Sequence, residues 1–382
     1  MSLVVFPFKT EKPEVVVNNI DTAASHERVS EVLCVGVEEE QTYAAIAAAA
    51  PHVTAETGTP VNLILQDRIG SLRPGKGDGM NTALLYFLEK SDAARIHFYD
   101  SDITSFNQSW ITKAEEFADL GYDVVRHYFP RAATDAMITW FITRVGFAVL
   151  WPRSELPWIE QPLGGELLMT REVAADLLAD EAVRAQSDWG VDTLYTFRMI
   201  QNGAKMFETY VKEGKAHKLY GRLTDLRTML VECFAAIQSL ENETVDGTTL
   251  HRVQPPDVVP SAISEKLGYD IEASMSLLTE RWTPRQEELA GFFPVPIRDG
   301  LLANLQRPRF GFLDESAWFD TYLVLLSEFD KDDPDWQELI FKLWIIRVLN
   351  YTTTAAARGY AYGMRYLRSM VERYLRQAAL AK

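Results

Sequence analysis

Cysteine is nearly absent from this chain: Cys34 and Cys233 are the only two in 382 residues. A disulfide framework and a cysteine-rich zinc site are both excluded by that count. Long hydrophobic runs are missing as well. The most apolar-looking stretch, Tyr43 to Pro51, is a short alanine run, far below the ~20 residues of a transmembrane helix. A basic leader followed by an apolar segment is not seen in MSLVVFPFKTEKP, so no secretory signal is read there. The expectation is a cytoplasmic chain without a membrane partner. Positive charge is also scarce, with 38 Lys and Arg against 54 Asp and Glu and a formal net charge of −16. General nucleic-acid binding needs a cationic surface that displaces counterions, and this balance argues against it. Repeats of fixed period and low-complexity segments are lacking too.

What is present is an alternation. Apolar, β-branched runs occur at residues 3–6, 32–37, 61–65, 96–99 and 122–128, with helix-like segments at 38–50, 79–90 and 108–119. Strand starts roughly 30 residues apart with helices between them predict βαβ units and a mostly parallel sheet. The near-continuous apolar character of the runs fits strands covered on both faces. Ligands of such sheets bind beyond the carboxyl ends of the strands, which directs attention to the residues just after each run. The pattern changes near residue 240, and Gln254-Pro255-Pro256-Asp257-Val258-Val259-Pro260 reads as a linker. Two domains are expected, 1–240 and 241–382, the second mainly helical. Trp336, Leu339, Ile340, Leu343 and Trp344 recur at helical spacing, as do Met364, Leu367, Val371, Tyr374 and Leu375; both stripes are assigned to core or to a subunit contact.

Two phosphate motifs nearly fit. Gly70 to Lys76 matches G-x-x-x-x-G-K, but Gly77 stands where a P-loop needs a Mg²⁺-binding hydroxyl. Pro74 also removes a backbone donor from the cradle. The dinucleotide fingerprint fails at Met80, its last position. Lys76, flanked by glycines just before a helix-like run, still suits an anion at a helix N-terminus. Asp100-Ser101-Asp102 follows directly on the run 96–99. Strand alternation puts the two carboxylates on one side. Paired carboxylates are hard oxygen ligands suited to Mg²⁺ or Mn²⁺, which would bridge to a diphosphate.

Taken in order, the first strand, Gly75-Lys76-Gly77 with Asn81, and Asp100-Ser101-Asp102 resemble the motifs of GT-A-fold nucleotide-sugar glycosyltransferases. Gly164-Gly165-Glu166-Leu167-Leu168-Met169-Thr170-Arg171 resembles the glycine turn and strand beside the sugar in that fold. Trp189-Gly190-Val191-Asp192 resembles its W-G-x-D/E motif, and His217-Lys218-Leu219-Tyr220-Gly221 its late histidine segment. Within this family the likeness is to retaining enzymes that move mannose from GDP-mannose to D-glycerate, with D-lactate or similar 2-hydroxy acids as further acceptors, making a compatible solute. The resemblance implies an α/β sheet of GT-A type, a divalent metal, Mg²⁺ or Mn²⁺, and no organic cofactor.

The same resemblance distributes roles. Pro7, Phe8, Lys9, Thr10 and Glu11, with Val35 and Gln66, would take the base and ribose. Lys76 would pair with the diphosphate, and Asp102 and His217 would hold the metal, with Asp100 on ribose or metal. Ser101, Lys218 and Tyr220 would join the nucleotide-sugar site. Leu163 and Gly164 would let the backbone approach the sugar, and Asp192 would bind sugar hydroxyls or lie near the reacting centre. An acceptor carboxylate needs a cation, for which Arg131 is the candidate, with Thr139, the Ala136 backbone, Tyr220 and Met229 around it. The catalytic set is then Asp192, Arg131 and Lys76.

Two other readings compete. A sugar-nucleotide pyrophosphorylase uses a glycine-rich loop near the first strand, but Pro7 to Pro13 holds no glycine. A non-catalytic nucleotide-binding protein has no need of an acidic pair, a late histidine and an acceptor cation together. Finally, the charge is segregated. Residues 310–340 hold nine acidic groups against one lysine, and residues 342–382 eight basic groups against one glutamate. These stretches are expected to pair, within a subunit or across the contact of a homo-oligomer.

Overall fold

The computed structural model describes residues 1–38, 41–216, 222–245, 249–255 and 259–381. Two compact units emerge: Met1–Pro130, Ser154–Lys218 and Thr244–Asp257 form the first, and Arg131–Arg153, Leu219–Glu243 and Val258–Lys382 the second. These units interleave along the chain, because residues 131–153 and 219–243 group with the C-terminal helices.

Among the described residues the first unit is built on an eight-stranded sheet: β1 Ser2–Pro7, β2 Val29–Gly36, β3 Val61–Leu65, β4 Arg95–Phe98, β5 Val124–Tyr128, β6 Leu167–Thr170, β7 Met206–Tyr210 and β8 Leu250–Arg252. Their order is β3-β2-β1-β4-β6-β5-β7-β8. All neighbours are parallel except β6, which runs antiparallel to both β4 and β5. Four helices, α1 Pro13–Ala24, α2 Gln41–Thr57, α3 Lys76–Lys90 and α4 Gln108–Asp119, follow β1 to β4 in turn. This is the expected α/β architecture with helices flanking a mostly parallel sheet. Pro13 opens α1 at its first turn, where its missing N–H is no loss. Helix α2 does not stop at Pro51, as the sequence suggests, but continues to Thr57, because Ile46, Ala50 and Val53 keep burying one apolar face across the proline.

The second unit is helical. Its last three helices are Glu315–Glu328, Pro334–Thr354 and Tyr360–Ala381. Trp336, Leu339, Ile340, Leu343 and Trp344 are all buried, so the first stripe is core; in the second, Leu367, Val371 and Tyr374 are buried while Met364 and Leu375 are half-buried at its edges. Glu315 accepts from Arg373 at 2.8 Å and from the Tyr366 hydroxyl at 2.7 Å, which joins the acidic stretch to the basic one. Elsewhere the acidic stretch finds other cations, as in Glu338 with Arg227 at 3.1 Å. Among the described residues no helix is long and apolar enough to cross a membrane.

Candidate active site

Several segments converge beyond the carboxyl ends of β1 and β4. The first follows β1. Phe8 donates its amide to the Val35 carbonyl at 2.9 Å, and its ring is buried over Gly36, whose Cβ would lie 2.4 Å from it. Phe8 and Val35 are therefore core side chains that hold the loop against β2. Lys9 and Thr10 are exposed. Glu11 turns back to accept from the Lys9 amide at 2.5 Å. Its carboxyl is raised, chiefly by burial, with the charges of Asp102 and Asp100 adding to the push. Ser101 donates to the Pro7 carbonyl at 2.7 Å, so its hydroxyl ties the β4 loop to the β1 loop.

The second element is the first turn of α3. This helix begins at Lys76, three residues earlier than the sequence suggests. The glycines in and ahead of it are there for close packing. A Cβ on Gly77 would fall 2.2 Å from the Gln186 carbonyl, and one on Gly70 2.6 Å from that of Ala185. The Asp78 amide donates to the Ser187 carbonyl at 3.2 Å. Its fully buried carboxylate accepts from the amides of Ile69 and Gly70 at 3.1 and 2.8 Å and from Arg68 at 2.7 Å. These contacts fix the loop ahead of α3 against the segment leading to Asp192, which occupies the first turn of the helix Val191–Gln201.

The result is a chain of charges, with Asp192 and Glu166 buried and Lys76, Asp100 and Lys215 half-buried. Lys76 Nζ lies 2.9 Å from Asp192 Oδ2 and 3.5 Å from Asp100 Oδ1, and 5.8 Å from the centre of the Trp189 ring. Asp100 Oδ2 in turn meets Lys215 at 2.5 Å, and Lys215 meets Glu166 at 2.5 Å. Burial disfavours every one of these charges. Against it, the carboxylates of Asp100 and Asp192 hold the Lys76 ammonium above the ordinary lysine range. Lys215 and Lys76 overcome burial at Asp100 and keep it well below the carboxylate range. At Asp192 burial wins over Lys76 and the carboxyl is raised. Glu166 is raised to about 7 by burial and by its neighbour Asp100, with Lys215 opposing. Asp192 Oδ1 is buried without a hydrogen-bond partner among the described residues, which leaves one acceptor free for a bound hydroxyl.

Gly165 has no room for a side chain here: its Cβ would lie 2.5 Å from Asp100 Oδ1 and 2.9 Å from Lys76 Nζ. Both obstructing atoms are the ends of flexible side chains. Gly165→Ala is therefore expected to fold normally while displacing the pair by about 1 Å, a misplacement worth about a hundredfold in rate. Thermal unfolding together with kcat/KM checks this; an unchanged rate would mean that the pair's position does not matter.

Among the described residues no cluster of three His, Cys, Asp or Glu side chains is assembled around a metal position. Asp100 and Asp102, both facing Glu11 electrostatically, do supply the oxygen chemistry of a hard divalent cation. The third expected ligand, His217, lies outside the described residues, as do Lys218 and Tyr220. Gln66 is half-buried beside α3, its Oε1 3.0 Å from where a Gly79 Cβ would stand. Gly164 is buried in a tight turn and Leu163 half-buried.

The expected acceptor residues Arg131, Ala136, Thr139 and Met229 belong to the second unit. Arg131 pairs with Asp135 at 3.1 Å, and Asp135 also accepts from the Ala136 amide at 2.7 Å. That amide is thus already engaged. Met229 is half-buried. Ala136 holds φ +56° and Thr139 opens a five-residue π-helical turn, irregularities of the kind that cluster at functional sites. The carbonyls around them are taken by aromatic donors from the C-terminal helices: Tyr351 to Ala133 at 2.8 Å, Trp344 to Met137 at 3.3 Å, Trp318 to Phe141 at 3.0 Å and Tyr322 to Ile142 at 2.8 Å.

Sequence reasoning left Glu166, Lys215, Asp135 and Arg126 without roles. The signal for Arg126 is a charge inside an apolar strand, which has to find partners when buried. Lys215 is legible only as one cation of the locally basic stretch 203–227, because its partners are more than forty residues away in the chain.

A mostly parallel sheet with one antiparallel insertion, a cationic helix start, an acidic pair after β4 and a buried aspartate after the glycine turn is the arrangement of the GT-A glycosyltransferase fold. The glucosyl-3-phosphoglycerate synthase of Mycobacterium tuberculosis, solved with Mn²⁺ and UDP-glucose, shares this fold: TM-score 0.50, 19% identity, over 63% of this chain and 78% of that one. Family models narrow the class. The mannosylglycerate synthase GT domain matches residues 2–239 and the mannosylglycerate synthase C-terminal domain residues 263–371. Mannosylglycerate synthase of Rhodothermus marinus is 63% identical over 380 residues, covering 100% of this chain and 96% of that protein. Its namesake from Selaginella moellendorffii is 54% identical over 385 residues, covering 100% and 91%. The chain belongs to the mannosylglycerate synthase family and is a glycosyltransferase that makes mannosylglycerate.

Proposed function

We propose that this chain transfers mannose from GDP-mannose to D-glycerate with retention at the anomeric carbon, using Mg²⁺ or Mn²⁺. The observation that carries the reading is the Lys76 ammonium held between Asp192 and Asp100 beyond the ends of the parallel strands. Lys76 takes the diphosphate and offsets the charge that develops on the leaving group. Asp102 and His217, with Asp100, would hold the cation. When bound, it supplies Lewis-acid stabilisation of the departing diphosphate. The backbone of Pro7 to Glu11, with Val35 and Gln66, faces the base and ribose; Ser101, Lys218 and Tyr220 complete the nucleotide-sugar set. Leu163 and Gly164 face the sugar, and Asp192 binds its hydroxyls. Arg131 captures the acceptor carboxylate, with Thr139, Ala136 and Met229 beside it. Transfer occurs on one face of the sugar, the leaving phosphate accepting the proton of the attacking hydroxyl. D-lactate and related 2-hydroxy acids fit the same acceptor chemistry, and a homo-oligomer is the expected assembly.

The test is GDP release from GDP-mannose with and without D-glycerate, each with Mg²⁺, Mn²⁺ or chelator. Release that depends on acceptor and cation supports the reading. No acceptor-dependent release removes the substrates and leaves the fold untouched. Arg131→Ala should lose about 2 kcal/mol of acceptor binding, the worth of a charge-assisted hydrogen bond, so KM for D-glycerate rises about thirtyfold while GDP affinity holds. If GDP affinity falls equally, Arg131 serves only as the partner of Asp135.

A further inference from the structure

Arg126 carries a charge that the chemistry above leaves unused. It sits on β5 and is 1% exposed. Its Nη1 donates to the carbonyls of Gln161 and Gly164, each at 2.9 Å, and its Nη2 to the Thr196 hydroxyl at 2.9 Å. Thr196 donates onward to the Pro162 carbonyl at 2.7 Å. Three carbonyls of one four-residue turn thus converge on a single guanidinium and the hydroxyl it holds. Thr196 lies four residues after Asp192 on the helix Val191–Gln201, one turn along the same face. The clamp therefore fixes the glycine turn relative to Asp192. Burial works against the guanidinium, while the surrounding charges of Asp192, Glu208 and Glu166 favour it. Desolvating a charge is costly, and a neutral side chain filling the same space would avoid that cost but could not fork to two carbonyls.

We propose that Arg126 is the positioning residue for the sugar side of the donor site, setting the spacing between the Gln161–Gly164 turn and Asp192 on which recognition of the transferred sugar depends. This rests on the reading of Leu163, Gly164 and Asp192 as the sugar-facing groups. It separates the two halves of the donor: Lys76 and the β1 loop govern the nucleoside diphosphate, and Arg126 governs the hexose.

The experiment compares Arg126→Met, Arg126→Lys and Thr196→Val with the wild type, measuring kcat and KM with GDP-mannose and D-glycerate, and Kd for GDP by calorimetry. In Arg126→Met, KM for GDP-mannose should rise and kcat fall by tenfold or more each, with Kd for GDP within twofold of wild type. Arg126→Lys, which keeps the charge and loses the fork, should fall between the two. Thr196→Val, the milder change, should shift KM and kcat in the same direction by about three- to fivefold and decides the matter if Arg126→Met does not fold. Equal loss of GDP and GDP-mannose affinity in folded variants, or unchanged kinetics in both Thr196→Val and Arg126→Lys, overturns the clamp. A wild-type chain that fails to bind GDP-mannose overturns the donor reading itself, and the clamp's role with it.

Discussion

Lys76→Met is expected to cut kcat/KM several-hundredfold and to weaken GDP binding, with the fold retained at lower stability. Methionine has nearly the length of lysine, so the stem beside Trp189 is kept and the charge alone is removed. Loss of one preorganised charge at a site of developing negative charge is worth roughly 3–4 kcal/mol. A second effect follows from burial. The Lys76 side chain is only 12% exposed and Asp192 5%. Removing one partner of a buried pair leaves an uncompensated charge, at a cost of about 3 kcal/mol. The sign is clear from the direction of the shift. The ammonium is held above its ordinary value, so its contribution is fully present below that value, including neutral pH, and is lost only in strong alkali. The urea midpoint at pH 7 should therefore drop along with activity. Near-normal kcat/KM would remove Lys76 from the diphosphate, and an unchanged midpoint would mean that Asp192 finds another counter-charge.

The parts of the site legible in the sequence are those that depend on local pattern. Asp100 is legible because it follows a strand whose carboxyl end lies at the site. But β4 ends at Phe98, and Ser101 and Asp102 sit in the turn beyond it, so a strand's period of two does not carry over to the pair. Lys76 was legible as a cation beside a helix start, although the glycines around it serve a different purpose from a phosphate cradle. They admit the backbone of residues 185–187, a contact between segments over a hundred residues apart that no local pattern encodes. The same limit explains β6. A strand was expected near residues 164–171, but its antiparallel insertion between β4 and β5 is a pairing choice, and hydrophobic period is silent on pairing. It is this insertion that brings Gly165 and Glu166 up to Asp100 and Lys215. Arg131 is legible as a cation, but its pairing with Asp135 one turn on leaves the guanidinium less free than the sequence suggests.

At the opposite strand ends, Glu115→Gln is expected to lower stability by about 3 kcal/mol at pH 7 while leaving kcat unchanged. Glu115 on α4 is 2% exposed. One oxygen accepts from the Ser2 hydroxyl and from His97 Nε2 at 2.9 Å, and the other from Arg95 at 2.5 Å. This carboxylate therefore ties α4 to the first residues of β1 and β4. Burial alone would raise its pKa, but His97, Ser2 and Arg95 outweigh that and bring it down to about 2 from an ordinary 4.5. A carboxyl depressed in the folded state stabilises above its unfolded pKa and loses that contribution as pH falls toward the folded one. The shift corresponds to about 3 kcal/mol, present in full above pH 4.5 and gone near pH 2. Glutamine keeps the shape and one acceptor but cannot carry the charge, so it resembles the protonated wild type. The gap in urea midpoint between wild type and Glu115→Gln should then be widest at pH 6–7 and narrow steadily below pH 4.5. A gap that does not change with pH would assign the loss to shape and hydrogen-bond polarity, because only the charge can produce that dependence.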